Sequence, residues 1–220
     1  MTHPADASVG NPGFPQLGVV SLAATRARAA LIAAYHLART LPDRILHPRR
    51  HSAARRRLAG IGRPRSILVV CHGNICRSPY LHAVLQRALP DVAVSSAGFV
   101  GRDRCVPVHS LEVSERRGID LSGFRSQALT LENVRRADLI IVMESNQARY
   151  MERVFGVRAE RLVIAGDLDP VTGLTRSIRD PWMQSIRVFE SCFDRLDRCA
   201  LTLDAALNRG GGVSVRRGAR

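Results

Sequence analysis

The sequence predicts an α/β protein with a three-layer, doubly wound fold around a four-stranded parallel sheet. The first observation is a set of short apolar runs typical of buried strands, at residues 67–70, 92–96, 137–143 and 161–164. The second is that helical apolar patterns separate these runs, which indicates parallel strands joined by helical crossovers. The third is a short loop after the first strand that carries reactive side chains. Because ligands bind at the carboxyl ends of such strands, this loop is the expected site.

The helices follow from apolar spacing and from their end signals. Pro79 suits the first turn of a helix, because its missing N–H is not needed there, and Gly118 suits a helix end. A long loop at residues 165–180 precedes a last amphipathic helix, and loops of that length in compact domains are usually functional. The first predicted helix begins at Pro79, and the later ones occupy residues 108–117, 132–136, 145–155 and 182–208.

The charge is unevenly distributed. The formal net charge is +14, and every basic residue is an arginine. Residues 1–65 hold 11 Arg and 2 acidic residues, whereas residues 66–208 hold 18 Arg and 17 acidic residues. The chain therefore divides into an Arg-rich N-terminal extension (1–65), a nearly neutral catalytic domain (66–208) and a basic, Gly-rich tail (209–220). No specific nucleic-acid binding is expected, because the charge lies outside the domain and the basic stretch lacks aromatic residues that stack on bases.

The N-terminal extension is predicted to have three parts. Residues 1–16 are rich in Pro and Gly and are expected to be disordered, residues 17–40 form a helix, and residues 41–65 form a basic linker. Weak contact with an anionic membrane and packing on the domain both stay open for this segment. The uncharged run at 29–38 is too short to span a bilayer. No secretory signal is recognised, and five cysteines without a disulfide pattern favour a reducing compartment, the cytoplasm.

The loop of residues 71–79 reads Cys-His-Gly-Asn-Ile-Cys-Arg-Ser-Pro. A tight loop that enters a helix directs backbone N–H groups at one point, where a phosphate or arsenate binds. A cysteine at the base of such a loop favours its thiolate, which is a nucleophile toward phosphorus. Arg77 can hold two oxygens at once. The candidate catalytic residues are Cys71 and Arg77, and the candidate substrate-binding residues are His72, Gly73, Asn74, Ile75, Cys76 and Ser78.

Individual side chains of the loop have expected tasks. Ser78 can donate its hydroxyl to the thiolate, Gly73 allows a turn that a Cβ obstructs, and Asn74 can hold the loop open. Ser95 or Ser96 can supply a hydrogen-bond partner for Asn74. Alone, Cys71 reads as a buried structural cysteine, but the combination Cys-x5-Arg-Ser-Pro after a strand favours the nucleophile.

A general acid must protonate the leaving oxygen, and a carboxylate in a loop near the anion suits this task. Two Asp-Pro pairs occur in the chain, Asp169-Pro170 and Asp180-Pro181. The residue types alone do not choose between them, since both also suit turns.

The motif from Cys71 to Pro79 resembles the phosphate loop of the low-molecular-weight protein-tyrosine phosphatases of bacterial type, and the likeness extends over residues 66–208. The resemblance implies hydrolysis of a phosphotyrosine protein or a small phosphomonoester through a phosphocysteine on Cys71. Inorganic phosphate is then both product and inhibitor, and no metal or cofactor is needed. Since the family's acid lies in an Asp-Pro-aromatic element before the last helix, the resemblance selects Asp180. Cys76 can form a protective disulfide with Cys71.

The sequence departs from the family pattern beside the cleft. The loop at 99–107 lacks the family's Trp and offers only Phe99, and Met183 replaces a second aromatic residue after Trp182. These differences bear on phosphotyrosine preference rather than on phosphoryl transfer. Two alternatives stay open: an arsenate reductase on the same fold, which needs resolving cysteines, and a phospho-binding module without turnover.

Overall fold

The computed structural model describes residues 22–210. The predicted disordered start at residues 1–16 and the tail beyond residue 210 lie outside them. The chain divides into two units, with the boundary between Arg39 and Thr40. The described residues of the first unit belong to the long helix α1, Leu22–Ile61.

The second unit contains a four-stranded parallel sheet, as predicted. Its strands are β1 (Ser66–Cys71), β2 (Ala93–Gly98), β3 (Leu139–Val142) and β4 (Leu162–Ile164), in the order β2-β1-β3-β4. The chain moves outward from β1 to β2 and then crosses back to β3. The direction of winding therefore reverses between β1 and β3, and ligands of such sheets bind at the carboxyl ends of the strands at this point.

Both faces of the sheet are covered by helices. The helices after α1 are α2 (Arg77–Ala88), α3 (Val108–Glu115), α4 (Leu131–Arg136), α5 (Ser145–Phe155) and α6 (Ile186–Gly210). One face of the sheet packs with α2, α3 and α6, and the other packs with α4 and α5. Within β1, Ile67 and Val69 point into the first layer and Leu68 and Val70 into the second, as the two-residue period of a strand requires.

The last helix begins later than the sequence predicts. Residues 181–184 form a turn instead, in which the N–H of Gln184 donates to the carbonyl of Pro181 at 2.9 Å. Helix α6 therefore starts at Ile186. This turn follows directly on Asp180 and separates the candidate acid from the helix.

The predicted linker at residues 41–65 is wrong for most of its length. Helix α1 continues to Ile61 despite Pro42 and Pro48, each of which disfavours a helix interior. Tertiary packing explains the difference, because Ala54 and Leu58 are buried in the core beside the sheet. None of the helices within residues 22–210 combines the length and the apolar character that a membrane span requires.

Candidate active site

The phosphate loop, residues 71–78, joins β1 to α2 where the winding of the sheet reverses. Cys71 is the last residue of β1 and is buried, with 2% of its surface exposed. The backbone N–H of Asn74 donates to its Sγ at 3.2 Å, and the hydroxyl of Ser78 donates at 3.0 Å. These two donors stabilise a negatively charged sulfur, as a thiolate nucleophile requires.

Asn74 holds the loop in shape from within. Its Nδ2 donates to the hydroxyl oxygens of Ser78 at 2.8 Å and Ser96 at 3.0 Å, and its Oδ1 accepts from the N–H of Gln127 at 2.7 Å. Its φ of 50° is left-handed, which an asparagine with local hydrogen bonds tolerates. The left-handed backbone conformation of the loop therefore falls on Asn74. At Gly73 an added Cβ would lie 2.6 Å from Nη2 of Arg104, so the expected obstruction comes from that side chain. Of the two serines expected to reach Asn74, Ser96 does so.

His82 extends this network and was not singled out from the sequence. Its Nδ1 lies 3.3 Å from the Ser96 hydroxyl. Because that oxygen already accepts from Asn74, its own proton is free to point to His82. Burial lowers the pKa of His82, which favours the neutral ring that can accept this proton. A network of hydrogen bonds thus connects His82 to Cys71 through Ser96, Asn74 and Ser78, and Asn74 donates toward both ends of it.

The outer side of the loop is held by two contacts from β2 and the segment after it. Arg104 donates through Nη2 to the carbonyls of Gly73 at 2.7 Å and Val100 at 2.9 Å. A Cβ added at Gly98 would lie 2.7 Å from the backbone nitrogen of Asn74. Only a glycine therefore lets the end of β2 approach the loop this closely.

Arg77 is fully buried and uses part of its guanidinium on protein groups. Its Nη1 donates to Glu144 Oε1 at 2.6 Å and to the carbonyl of Ile178 at 2.8 Å, and its Nη2 donates to Asp180 Oδ2 at 2.5 Å. Its buried Nε has no hydrogen-bond partner among the described residues. The edge of the guanidinium that carries Nε–H and the second Nη2–H is therefore left to bind two oxygens of a phosphate.

Negatively charged neighbours keep the buried guanidinium of Arg77 protonated. Burial by itself lowers the pKa of Arg77, but the negative charges of Cys71, Asp180 and Glu144 outweigh it and raise the pKa above its ordinary value. The site therefore keeps one permanent cation among three groups that carry or develop negative charge.

The two candidate acids have different surroundings. The side chain of Asp180 is 37% exposed, and its Oδ1 accepts from the N–H of Trp182 at 3.2 Å. Asp169 is fully buried and paired with Arg195 at 3.0 Å and Arg198 at 2.9 Å. Burial alone would raise the pKa of Asp169, but the hydrogen bond from Arg198 and the backbone lowers it. Asp169 is thus buried and bound in ion pairs away from solvent, and this favours Asp180 as the acid.

A cleft of about 600 Å³ opens beside the loop. Phe99 and Tyr150 lie in it edge to face, with 5.2 Å between their ring centroids. Tyr150 and Glu144 were not singled out from the sequence, since neither carries a local signal. The cleft is lined by His72, Phe99, Val100, Glu144, Asn146, Gln147, Tyr150 and Asp180.

The remaining predicted binding residues differ in what they present. His72 is exposed beside the cleft, whereas Ile75 and Cys76 are buried and pack into the core. Ile75 and Cys76 can therefore contact a phosphate only through their backbone. Burial raises the pKa of Cys76 well above its ordinary value, which keeps this second thiol protonated. Met183 is exposed and lies outside the residues that line the cleft.

The cysteines of α6 belong to the core. Cys192 and Cys199 are both buried, and burial raises the pKa of Cys192 to about 12 and that of Cys199 further. Neither provides the accessible thiolate that an arsenate reductase needs to resolve a cysteine intermediate.

Comparisons with known proteins agree on one family. The family described as low molecular weight phosphotyrosine protein phosphatase matches residues 66–212. EpsP of Ralstonia nicotianae, named a probable low molecular weight protein-tyrosine-phosphatase, is 36% identical over 136 residues, which is 61% of this chain and 90% of that protein. The low molecular weight protein-tyrosine-phosphatase Etp of Escherichia coli is 34% identical over 66% of this chain and 95% of its own.

Solved structures extend the likeness to the fold. The tyrosine phosphatase Wzb from Escherichia coli K30, in complex with sulphate, superposes with a TM-score of 0.61 at 30% identity, over 66% of this chain and 99% of that one. The YwlE arginine phosphatase from Geobacillus stearothermophilus gives a TM-score of 0.60 at 29% identity, over 66% of this chain and 94% of its own. The same fold therefore occurs in phosphatases with two different named substrates.

Proposed function

The chain belongs to the low molecular weight phosphotyrosine protein phosphatase family and is a phosphatase, and we propose that it hydrolyses aryl phosphates through a phosphocysteine on Cys71. In this proposal Arg77 holds the phosphoryl oxygens and Asp180 is the general acid and base. One observation carries it: Arg77 directly contacts Asp180, in a site where two donors point at the sulfur of Cys71. A nucleophile, an oxygen-binding group and an acid thus occupy one site.

The first half of the reaction forms the phosphocysteine. The thiolate of Cys71 attacks phosphorus in line, so that an S–P bond forms as the P–O bond to the leaving group breaks. The leaving oxygen takes the proton of Asp180 and departs as a neutral phenol. Ser78 stabilises the sulfur as the leaving group of the second half, since its hydroxyl lies 3.0 Å from Sγ.

The second half releases phosphate. The carboxylate of Asp180 accepts a proton from water as that water attacks phosphorus, the S–P bond breaks, and the thiolate is regenerated. Arg77 and the N–H groups of residues 72–77 hold the equatorial oxygens in both steps. The loop residues Gly73, Ile75 and Cys76 contribute their backbone to this cradle.

Aryl phosphates are the proposed substrates because of the cleft beside the loop. Phe99 and Tyr150 offer ring faces and edges to an aromatic leaving group. The substrate is a phosphotyrosine protein or a small phosphomonoester, with inorganic phosphate as product and inhibitor. The likeness to an arginine phosphatase makes phosphoarginine the comparison substrate.

The test is hydrolysis of p-nitrophenyl phosphate without added metal by the wild type, Cys71→Ser and Asp180→Ala. We expect turnover by the wild type, none by Cys71→Ser, and a loss of roughly 10²–10⁴-fold in kcat/KM for Asp180→Ala. Turnover by Cys71→Ser would contradict the nucleophile. An inert wild type that binds vanadate would favour the phospho-binding module, and reduction of arsenate would favour the reductase.

The same preparation tests the substrate class. We expect a higher kcat/KM for a phosphotyrosine peptide than for a phosphoarginine peptide of matched sequence. The reverse order would contradict an aryl substrate while it leaves the phosphocysteine chemistry intact.

We place the protein in the cytoplasm, since the thiolate needs a reducing compartment.

Weak contact of residues 1–65 with anionic membranes is a separate proposal. It depends on the 11 Arg and 2 acidic residues of this segment. Sedimentation of the full chain with phosphatidylglycerol vesicles across a salt series tests it. Equal sedimentation with neutral vesicles would contradict an electrostatic contact.

A further inference from the structure

The end of α1 is built into the second unit of the chain. Leu58 is fully buried, Ala54 and His47 are nearly so, and the Arg57 guanidinium donates to the carbonyl of Leu162 in β4 at 2.9 Å. The family match begins at residue 66, so this helix is an addition to the family's domain. Its contacts therefore lie outside the part of the chain that matches the family.

Two neighbouring side chains of α1 bind one aspartate at the end of β4. Nε of Arg50 lies 3.4 Å from Oδ1 of Asp167, and Nδ1 of His51 donates to the Asp167 backbone carbonyl at 3.1 Å. The carboxylate of Asp167 is only 8% exposed. The first contact is an ion pair without a hydrogen bond, since neither Nε of Arg50 nor Oδ1 of Asp167 has a hydrogen-bond partner among the described residues, and the second is a partly buried hydrogen bond. Together they hold the side chain of Asp167 through charge and its backbone through a hydrogen bond.

Asp167 in turn holds the loop that ends at Asp180. Its Oδ2 accepts from Arg176 at 2.6 Å. Arg195 of α6 binds the carbonyls of Thr175 and Ser177, on either side of Arg176, and is itself held by Asp169 at 3.0 Å. The middle of the loop is therefore pinned between the end of β4 and α6.

The far end of the same loop enters the active site. The N–H of Ile178 donates to the carbonyl of Met143 at 2.9 Å, and its own carbonyl accepts from Arg77 at 2.8 Å. Asp180 follows two residues later and binds Nη2 of the same arginine. The position of the carboxylate thus depends on how the preceding residues of the loop are held.

We propose that Arg50 and His51 are positioning residues that, acting through Asp167 and Arg176, hold the Asp180 loop in its working place. The inference rests on the proposed role of Asp180 as general acid. It assigns a task in the reaction to a helix outside the family's domain. Among the described residues, Arg50 and His51 neither line the cleft nor form a hydrogen bond or ion pair with the phosphate loop, and the other partner of Arg50 is Asp43 on α1 itself. Their route to Asp180 therefore runs through the 167–180 loop.

A misplaced acid has a distinctive kinetic signature. A general acid matters most for a poor leaving group, such as a phenolate with a pKa of about 10, and least for the more acidic p-nitrophenol. The experiment therefore compares kcat/KM for phenyl phosphate and p-nitrophenyl phosphate in full-length Arg50→Met, His51→Phe and Asp167→Asn. Displacement of a catalytic group by about 1 Å costs on the order of 10²-fold, so we expect roughly ten- to a hundredfold loss with phenyl phosphate and a several-fold smaller loss with p-nitrophenyl phosphate.

Matched variants isolate the contact. Arg49→Met makes the same substitution at the adjacent, exposed arginine and should behave as the wild type. Arg50→Lys keeps the charge beside Asp167 and should recover part of the loss. Asp180→Asn gives the reference profile for a missing acid, and thermal unfolding with alkylation of Cys71 reports whether each variant keeps its fold and its phosphate loop.

The outcomes separate the two proposals. Folded Arg50→Met and His51→Phe variants that keep the wild-type kcat/KM for both phenyl phosphate and p-nitrophenyl phosphate would overturn the positioning role alone. An Asp180→Asn variant without leaving-group dependence would overturn the acid itself, and the positioning role with it. An equal loss for both substrates in Arg50→Met would mean a general structural role and would also overturn the inference.

Discussion

Nη2 of Arg77 lies 2.5 Å from Oδ2 of Asp180. The proposed acid is therefore bound to the same guanidinium that is proposed to hold the phosphate. Glu144 binds the other terminal nitrogen at 2.6 Å. The strength of the anion site thus depends on how two carboxylates share one arginine.

The first prediction concerns Glu144. Glu144→Gln keeps a hydrogen-bond acceptor near Arg77 but removes one negative charge close to the bound anion. We expect the inhibition constant for inorganic phosphate to fall roughly three- to tenfold, as removal of a repulsive charge at short range in a partly buried site predicts. Competitive inhibition with p-nitrophenyl phosphate as substrate measures it. Glu152→Gln on α5, outside the cleft, is the control, and an unchanged or higher constant for Glu144→Gln would contradict the prediction.

The second prediction separates the two tasks of Asn74. Asn74→Gly keeps a residue that tolerates a φ of 50° but removes the side-chain hydrogen bonds, whereas Asn74→Ala loses both. We expect both to slow alkylation of Cys71 by iodoacetate, and Asn74→Ala to be less stable than Asn74→Gly by roughly 1 kcal/mol. Urea unfolding and alkylation rates measure the two effects. Equal stability of the two variants would mean that the backbone conformation carries no strain.

The third prediction concerns His82. His82→Leu removes the acceptor for the Ser96 hydroxyl, whereas His82→Asn can place Oδ1 near the position of Nδ1. We expect His82→Leu to lower kcat about tenfold with little change in KM, as loss of one positioning hydrogen bond predicts, and His82→Asn to recover most of it. Gln86→Leu, one turn further along α2, is the structural control. Similar kcat values for the Leu and Asn variants would rule out the hydrogen bond as the cause.

The fourth prediction is a pH dependence of stability at His47. This buried ring has no hydrogen-bond partner among the described residues, and burial, then His51, lowers its pKa below 6.5. Because the folded-state pKa is the lower one, the unfolded chain binds more protons in this range, and stability is lost as the pH falls below about 6.5. We expect His47→Leu to raise the free energy of unfolding at pH 5 by about 1 kcal/mol or more, and by less at pH 8.

Urea unfolding at both pH values measures this difference. His82, whose pKa burial also lowers, stays in place in both proteins and contributes the same slope to each. A stability gain of equal size at pH 5 and pH 8 would assign the effect to packing rather than to protonation.

The fifth prediction concerns substrate preference. Tyr150→Ala removes one of the two rings that lie edge to face in the cleft. We expect KM for a phosphotyrosine peptide to rise about tenfold, since aromatic pairs contribute about 0.5–1.5 kcal/mol beyond their buried area. Phosphoarginine and phosphoserine peptides should be affected less. A uniform rise for all three substrates would instead indicate a damaged phosphate loop.

The phosphate loop could be predicted from the sequence because its chemistry is local. Cys71, Arg77 and Ser78 lie within eight consecutive positions, and a strand followed by a helix is enough to bring them together. The choice of Asp180 over Asp169 needed the family resemblance, since both aspartates precede a proline. What distinguishes them physically is Arg195 and the other partners of Asp169, which approach from a distant helix.

Other parts of the site depend on tertiary structure alone. His82 meets Ser96 only because α2 packs beside β2. Tyr150 meets Phe99 only because the strands that precede them, β3 and β2, lie on either side of β1. The prediction of a linker at residues 41–65 was wrong for a related reason. Its prolines and arginines oppose burial locally, and only the completed sheet provides the surface on which Leu58 is buried.

The contacts at the end of α1 also set an order of events during synthesis. His51 and its partner Asp167 are 116 residues apart in the chain. At about 5–20 residues per second, a ribosome needs on the order of 10 s to make the second after the first. For that interval the arginine-rich helix has emerged while its docking surface does not yet exist. The loop that carries Asp180 is made after all four strands of the sheet, and only its arrival lets α1 reach its final place.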